Sequence, residues 1–487
     1  MLLDKQYYNP NDPSPYDDTG WTVGPLFDVE TVRIEDPEVL DVRMTLVEGP
    51  IEPEGGVEGR GDIYAIDYQA NNRLTTFRYA HDQLTIRAAR EGFADDDYAF
   101  GAGSFLLNSA DHPGIDLREV LSEAGAEYGF TARALDRMPE VEVSDVDAPR
   151  VAVVHTWVDT QNEGWLRMGL DEYGVPFDYL SVHDVRDDPD LASRYDVIVF
   201  GHVRGGAMTM LRGLQGEDPI PWERTELTPN IGRQDQTSDM RGGLELSGIL
   251  NLDRFVRAGG VLVTLAGASE FPIHFGLSSG LSVRSTPDMW APGGVYKANV
   301  RENNSPIAYG YGETLGVAFR NGPVFIRGNG GGFGFGGRVS SEDRGGPGST
   351  TARRSGRGGT DEADIVQGRP RDLGEAGVEA FRSEHQEEAD ASPNTGPANP
   401  VTTVMAFESN VEELLISGGL RNGQPLAGAP ALVDVKVDEG HVVLFSFNPF
   451  WRNHTHGSYG LLFNTLLHHD NLDIPERPVI VDQGGTP

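Results

Sequence analysis

Polar side chains follow four apolar runs of the sequence, at the points where the runs end. They are His155 and Trp157 at VAVVHT (151–156), His202 and Arg204 after YDVIVFG (195–201), Ser269 and Glu270 at the end of VLVTLAGAS (261–269), and Arg452, Asn453, His454 and His456 after HVVLFSF (441–447). If the runs are strands of one open α/β sheet, these side chains share the edge at which such sheets bind ligands. Imidazole and guanidinium groups there would bind an anion or a metal ion. The alternative is that they pack within the loops and satisfy backbone groups.

The turn after VLVTL (261–265) is a second place where the sequence could carry chemistry. A strand-to-helix elbow at such a turn exposes the nucleophile in several hydrolases. Ala266 occupies the position expected for a nucleophile, and alanine has no nucleophilic atom. Ser269 is the only hydroxyl in the turn and lies three residues late, so a serine hydrolase is the weaker alternative. The chain has no cysteine, which excludes a cysteine nucleophile, thiolate metal sites and disulfides.

Two short motifs match known spacings but lack the necessary context. Gly332, Gly334 and Gly337 fit G-x-G-x-x-G, but no helix pattern follows them, and dinucleotide binding at this motif needs a helix N-terminus. His385 and Glu388 fit the His-x-x-Glu of zinc carboxypeptidases, but they lie in an acidic stretch that would not preorganise a metal. We predict no metal or cofactor from either motif.

The charge balance argues against polyanionic partners. The chain has 39 basic and 75 acidic residues and a formal charge of −36, so it would be repelled by nucleic acid and by an anionic membrane. Lysine occurs only at Lys5, Lys297 and Lys436, so nearly all the positive charge is arginine. This pattern is typical of a halophilic proteome, because a strongly negative surface stays hydrated when salt screens its repulsion. An ordinary acidic protein is the alternative.

The sequence contains neither a membrane span nor an export signal that we can identify. No segment approaches the roughly 18 consecutive apolar residues that a spanning helix needs. The start, MLLDKQYYNPNDPSPYDD, has no basic stretch followed by an apolar run. We expect a soluble chain and assign no localisation.

The order of the apolar runs predicts an α/β fold. Runs that are apolar throughout alternate with amphipathic stretches, which indicates a parallel sheet covered on both faces. One predicted helix begins at a capping box of Thr160 and Glu163, and another is NLDRFVRAGG (251–260). We predict a flavodoxin-like domain formed by residues 150–327 together with 401–475.

Three other segments surround or interrupt this domain. Residues 1–35 form an irregular N-terminal strap, residues 36–148 a small α+β module, and residues 328–400 an insertion too rich in Gly, Ser, Arg and Glu to fold. The predicted elements of the module are strands DIYAIDY (62–68) and RLTTFRY (73–79), the helix DLREVLSEAGAEYG (116–129) and a closing linker, MPEVEVSDVDAP (138–149).

Four stretches of the chain resemble one family. They are LLDKQYYNPNDPSPYDDTGWTVG at the start, RVAVVHTW with NEGWLRMGLDEYGVPF, GGVLVTLAGAS, and LAGAPALVDVKVDEGHVVLFSFNPFWRNHTHGSYGLLFNTLL near the end. They resemble the C-terminal half of large bacterial zinc carboxypeptidase-like proteins, of the carboxypeptidase A-like metallopeptidase family. In that family a metallopeptidase domain precedes an accessory region that ends in a degenerate class I glutamine amidotransferase-like domain. The resemblance covers most of the chain outside 328–400.

The resemblance implies a fold but no catalytic site. The family binds zinc through residues upstream of the PYDDTGW-like segment, whereas Met1 lies within what resembles the end of the peptidase domain. No catalytic residue and no zinc ligand can therefore be carried over. In class I amidotransferase-like folds the elbow carries a cysteine, and Ala266 stands at that position. We expect a truncated, non-catalytic accessory region, and hence a pseudoenzyme; full-length relatives look exported.

Such a region would bind a separate peptidase domain or a second copy of itself, because the strap would otherwise expose its aromatic side chains. These are Tyr7, Tyr8, Tyr16, Trp21 and Phe27. Two alternatives stay open. The first is a hydrolase with a metal site built from His155, His202, His454 and His456. The second is a carbohydrate- or subunit-binding module, for which the candidate stacking residues are Trp157, Trp290 and Trp451.

Overall fold

The structure is a computed structural model that describes residues 5–6, 22–32, 34–49, 51, 54–328 and 399–474. Its α-helices are α1 (Val23–Leu26), α2 (Arg73–Ala80), α3 (Leu117–Tyr128), α4 (Glu163–Glu172), α5 (Val182–Asp187), α6 (Leu191–Arg194), α7 (Gly206–Arg212), α8 (Glu245–Arg257), α9 (Glu270–His274), α10 (Val411–Leu414) and α11 (His456–Leu467). Short 3₁₀ turns cover Pro37–Asp41, Ser109–Asp111, Ala266–Ser269 and Pro306–Ala308. Within the described residues, no helix is long and apolar enough to cross a bilayer.

The strands are numbered in chain order. They are β1 (Lys5–Gln6), β2 (Gly56–Glu58), β3 (Ile63–Ile66), β4 (Arg87–Ala89), β5 (Phe93–Asp95), β6 (Tyr98–Phe100), β7 (Phe105–Asn108), β8 (Thr131–Leu135), β9 (Val143–Asp145), β10 (Val151–His155), β11 (Asp178–Ser181), β12 (Val197–Phe200), β13 (Val261–Leu265), β14 (Leu281–Arg284), β15 (Trp290–Val300), β16 (Thr314–Phe319), β17 (Val324–Arg327), β18 (Val401–Phe407), β19 (Leu415–Arg421), β20 (Pro430–Val437) and β21 (Gly440–Phe445).

The largest sheet is mixed, with one parallel half and one antiparallel half. Its strand order is β1-β19-β15-β18-β20-β21-β13-β12-β10-β11, with β16 paired to β15. The five strands from β21 to β11 are parallel, whereas β20, β18 and β15 pair antiparallel to their neighbours. β19 is antiparallel to β15 and parallel to β1. Only two residues separate β20 from β21, and so short a connection can join only antiparallel strands. The prediction of a parallel sheet throughout is therefore correct for one half, and the fold is a mixed α/β fold.

The parallel half is covered by helices on both faces, as the apolar strands predicted. In β10 all five residues are buried, and alternate residues face opposite sides of the sheet. Val151 and Val153 belong to a core that includes leucines of α4 and α11, whereas Ala152 and Val154 belong to a core that includes side chains of α5 and α8. The two cores hold the sheet rigidly and thereby fix the positions of the loops at its carboxyl edge.

A second sheet lies N-terminal to the first, with the order β2-β8-β3-β7-β4-β9. RLTTFRY (73–79), predicted as a strand, is the helix α2, because Leu74, Phe77 and Arg78 are buried at helical spacing. The buried Arg78 donates from Nε to the carbonyl of Val146, at 2.6 Å. The predicted linker at 138–149 contains the edge strand β9. It therefore belongs, at least in part, to this sheet.

The stretch 23–51 contacts the large sheet at one end and is otherwise exposed. Leu26 of α1 is buried, and the Thr22 hydroxyl donates to the Ser417 hydroxyl at 2.5 Å. Beyond this point most of the large apolar side chains are exposed, a larger group of them than anywhere else in the described residues. They are Val29, Val32, Ile34, Leu40, Val42, Met44, Leu46, Val47 and Ile51, together with Val23 and Phe27, and we call them the apolar segment.

Several sequence predictions lie outside the described residues. These are the aromatic residues Tyr7, Tyr8, Tyr16 and Trp21, the glycine motif at 332–337, the His385–Glu388 motif and nearly all of the insertion predicted at 328–400.

Candidate functional site

The elbow after β13 has the backbone shape of a nucleophile turn but no nucleophile. Ala266 follows the last residue of β13 with φ = 47°, in the left-handed region that costs a non-glycine residue about 1–2 kcal/mol. The structure thus places Ala266 in a strained conformation, with its methyl group buried.

The backbone amide beside Ala266 is already hydrogen-bonded. Gly267 N–H donates to Nδ1 of His202 at 2.9 Å. In a nucleophile elbow the amide after the nucleophile stabilises the oxyanion, but here His202 takes that donor. A Cβ at position 267 would also clash with the carbonyl of Val203. The turn is therefore closely packed, and the Gly267 N–H already has an acceptor.

Ser269 does not replace the missing nucleophile. Its side chain is fully buried. Its Oγ lies 2.9 Å from the carbonyl of Thr264 and 2.8 Å from that of Phe445, and it accepts from the Thr264 hydroxyl. The hydroxyl thus ties the turn to the ends of β13 and β21. The serine-hydrolase alternative has no support in this geometry.

His202 is neutral and has its proton on Nε2. Burial lowers the pKa of the His202 ring to about 4. The negative charge of Asp159 acts in the opposite direction and raises the pKa, whereas the positive charge of Arg204 lowers it further. Because Nδ1 accepts from Gly267, the single proton of the neutral ring lies on Nε2. Asp159 is buried and accepts from the Arg204 backbone N–H at 3.2 Å and from its Nε at 3.0 Å. These contacts join the ends of β10, β12 and β13 at one place.

His155 and Trp157 form a separate aromatic group at the end of β10. Both side chains are buried. The His155 ring stacks on Tyr179 with 4.3 Å between centroids, and its Nε2 lies 2.8 Å from Oδ2 of Asp235. The indole Nε1 of Trp157 is buried and has no hydrogen-bond partner among the described residues. Both ring nitrogens of His155 therefore have partners within the protein.

The helix α4 begins differently from the prediction. Its N-cap is Asn162, and no side chain caps it, so the capping box of Thr160 and Glu163 is wrong. The buried Glu163 instead accepts from Nε of Arg167, one turn later, at 2.8 Å, and from the Tyr179 hydroxyl at 2.7 Å. The Glu163 carboxylate thus has a cation and a hydroxyl donor as partners, and these are stronger partners than a backbone amide.

The residues after β21 divide between two places. Arg452 and Asn453 have positive φ angles of 50° and 55°. The Arg452 guanidinium lies 5.1 Å from the centre of the Trp451 ring. Oδ1 of Asn453 accepts a hydrogen bond from the Tyr459 hydroxyl. The backbone N–H of His454 donates to the carbonyl of Trp451. His456 is the first residue of α11, where its ring stacks on Phe27 and Tyr459 and its Nδ1 lies 3.0 Å from the Tyr173 hydroxyl.

The histidines do not assemble into a metal site. Within the described residues, which include His155, His202, His454 and His456, no three His, Asp or Glu side chains could together hold a metal ion. The tryptophans do not form an exposed sugar platform either. Trp157 and Trp290 are buried, the latter beneath the guanidinium of Arg421 at 4.5 Å, and Trp451 is half-buried. The structure thus lacks the observation that either alternative required.

Sequence reasoning identified the strand ends but missed the carboxylates there. Asp159 and Glu163 are buried and bind neighbouring side chains at this edge of the sheet. The i,i+4 spacing of Glu163 and Arg167 could have predicted their ion pair. Asp235, the partner of His155, comes from the long α7–α8 connection, 80 residues away in the sequence. No local pattern predicts that contact.

The strain at Ala266 gives a stability prediction. Ala266→Gly should change the free energy of unfolding by less than about 0.5 kcal/mol, because relief of the left-handed conformation offsets the greater freedom of glycine in the unfolded chain. Ala266→Val should lower it by about 2 kcal/mol, because a β-branched residue is strongly disfavoured there. Chemical denaturation of the three proteins measures both values. Equal effects of glycine and valine would contradict the strained elbow.

Comparisons with known proteins assign no family. No family model matches the sequence, and no curated protein matches it. Among solved structures, a cytoplasmic protein of Salmonella typhimurium is 13% identical with a TM-score of 0.31, covering 65% of this chain and 97% of its own. A β-galactosidase from Bacillus circulans is 12% identical with a TM-score of 0.30, covering 75% of this chain and 37% of its own. A ThuA-like protein of Bacteroides uniformis is 8% identical with a TM-score of 0.30, covering 67% and 93%. TM-scores this low do not establish a shared fold.

Proposed function

We propose that the chain is a non-catalytic accessory region of a zinc carboxypeptidase-like protein and that it binds a peptidase domain. In this proposal the parallel half of the large sheet is a flavodoxin-like, class I glutamine amidotransferase-like domain that has lost its chemistry. The observation that carries the proposal is the elbow, where Ala266 holds the strained conformation and His202 occupies the Gly267 N–H.

The elbow supports loss of function in three independent ways. There is no nucleophilic atom at Ala266, the adjacent amide donor is used by His202, and the only nearby hydroxyl, that of Ser269, is buried and hydrogen-bonded to backbone carbonyls. Acyl transfer needs a nucleophile, a base and a free oxyanion donor. Restoring one of these groups would not restore the others.

The apolar segment supports the binding role. Side chains such as Leu40 and Leu46 are about four-fifths exposed, at 79% and 80%. A concentration of large exposed apolar side chains in one segment suits an interaction site. The segment begins within residues 1–35, which resemble the end of a peptidase domain, and continues beyond them, so a peptidase domain is the partner for which it is best placed.

The first test is the absence of catalysis. We expect the purified chain, in high salt, to release no C-terminal amino acid from peptides, to hydrolyse no glutamine and to contain no stoichiometric zinc by elemental analysis. A full-length zinc carboxypeptidase-like protein is the positive control. Stoichiometric zinc together with peptide release would refute the proposal.

The second test is partner binding through the apolar segment. The double variant Leu40→Asp, Leu46→Asp should bind a zinc carboxypeptidase domain, taken from a protein that has both halves, at least tenfold more weakly than the wild-type chain. Leu227→Asp is the matched control, because Leu227 is 93% exposed and lies in the α7–α8 connection. Titration calorimetry in high salt measures the affinities. Unchanged affinity of the double variant would remove the segment from the interface.

A further inference from the structure

A large groove lies on the described surface away from the elbow. It has a volume of about 970 Å³ and is bounded by β14 and β17, the beginning of β18 and the loop before β20. Volumes of this order accommodate small-molecule ligands. Three arginines line it: Arg284 at the end of β14, Arg301 just after β15, and Arg327 at the end of β17.

None of the three arginines has a carboxylate partner among the described residues, although Glu302 also lines the groove. Acidic residues outnumber basic ones by 75 to 39, and several arginines elsewhere pair with them, as Arg150 does with Asp196 and Arg257 with Asp438. In the groove, Arg284 donates from Nη1 to the carbonyl of Pro425 at 3.1 Å, and Arg327 from Nη2 to that of Val401 at 2.5 Å. Each of these guanidinium groups has five N–H donors. Most donors therefore remain for a ligand.

Arg284 and Arg327 lie on the same two-stranded ladder. In the antiparallel pair of β14 and β17, Arg284 lies opposite Val324 and Arg327 lies opposite Leu281, so their Cα positions are about 10 Å apart along the strands at roughly 3.4 Å per residue. Positions three residues apart on a strand face opposite sides, yet both side chains line the groove, as does that of Arg301. Three cationic groups around one groove suit a ligand with more than one anionic group.

We propose that the groove of Arg284, Arg301 and Arg327 binds a small molecule with two or more oxyanion groups, either carboxylates or phosphates. Guanidinium groups bind both through paired, charge-assisted hydrogen bonds. A small anion suits this protein better than a polyanion, because the net charge of −36 repels an extended negative chain. In high salt the long-range repulsion is screened, whereas paired contacts inside a groove are screened less. The site is independent of the elbow and of the proposed accessory function.

The test uses citrate and inorganic pyrophosphate as probes, at constant ionic strength, with binding measured by calorimetry on the whole chain. We expect at least one probe to bind, and the choice between them distinguishes carboxylate from phosphate recognition. The double variant Arg284→Gln, Arg327→Gln should bind the preferred probe at least tenfold more weakly. Arg301→Gln should also weaken binding, and since the Arg301 side chain makes no described hydrogen bond, this variant should fold normally.

Arg224→Gln is the matched control, because Arg224 is exposed and does not line the groove. It should bind the preferred probe as the wild-type chain does. Binding of neither probe would overturn the proposal, and so would equal binding by the wild type and by a folded Arg301→Gln variant. An equal loss in the Arg224→Gln control would show a general charge effect, which would also overturn it.

Discussion

Replacing His468 with leucine should remove part of the acid sensitivity of the fold. His468 follows α11 and is fully buried, and neither ring nitrogen has a hydrogen-bond partner among the described residues. Burial lowers the pKa of the ring to about 3, helped by the charge of Arg90. The folded protein therefore holds His468 neutral at pH values at which the unfolded chain protonates it.

The sign of the effect follows from proton binding. Below the ordinary pKa of 6.5 the unfolded state binds a proton that the folded state does not, so stability falls as the pH falls towards 3. Between pH 7.5 and 5.5 the loss from this one histidine is about 1.4 kcal/mol. His202, whose pKa is lowered to about 4, contributes a similar loss. Urea unfolding at the two pH values should show a smaller difference for His468→Leu than for the wild type, by about 1.4 kcal/mol.

His468→Gln provides a second variant that separates the loss of the titrating ring from the change in packing. Glutamine, like leucine, takes up no proton in this pH range, so both variants should show the same smaller pH difference. An unchanged pH dependence in His468→Leu would show that His468 is protonated in the folded protein, which contradicts its burial without a partner.

Gly440→Ala should destabilise the fold by about 3 kcal/mol, because the position has no room for a side chain. Gly440 begins β21, and a Cβ there would overlap the carbonyl oxygens of Val256, at the end of α8, and Gly260, just before β13. Both obstacles are backbone atoms, which cannot move without distorting the parallel half of the sheet. Thermal and urea unfolding measure the loss.

Gly312→Ala is the matched control. No heavy atom lies within 4 Å of a Cβ at Gly312, and its φ is not in the left-handed region. This variant should unfold within about 0.5 kcal/mol of the wild type, as exposed substitutions usually do. A Gly440→Ala protein as stable as Gly312→Ala would mean that the hairpin of β20 and β21 does not pack against α8 as described.

Local pattern predicted those elements whose burial is uniform. The runs at 151–156, 195–201 and 261–269 contain β10, β12 and β13, and strands return after residue 400 as expected. The pattern was wrong where burial is irregular. In α2 the buried Arg78 made a helical face resemble an alternating strand, and its reason for burial, the carbonyl of Val146, lies 68 residues away.

The candidate site was predictable in composition but not in contacts. The strand ends supply His202, Arg204 and Ala266 close to one another, as parallel pairing requires. The hydrogen bond from Gly267 to His202 and the burial of Ser269 depend on how far the loops after β12, β13 and β21 each extend beyond the edge of the sheet. The spacing of residues within one loop does not predict the position of that loop relative to its neighbours.

The strand order of the large sheet has a consequence for how the protein is made. β21, the last strand among the described residues, lies between β13 and β20 near the middle of the sheet, and its partner β13 ends at Leu265, well over a hundred residues earlier. At roughly 5–20 residues per second on a ribosome, β13 waits on the order of ten seconds for its neighbour. During that time an apolar strand edge is open to other chains. Nascent chains released before β21 should therefore aggregate, and a chaperone would have its greatest effect in that interval.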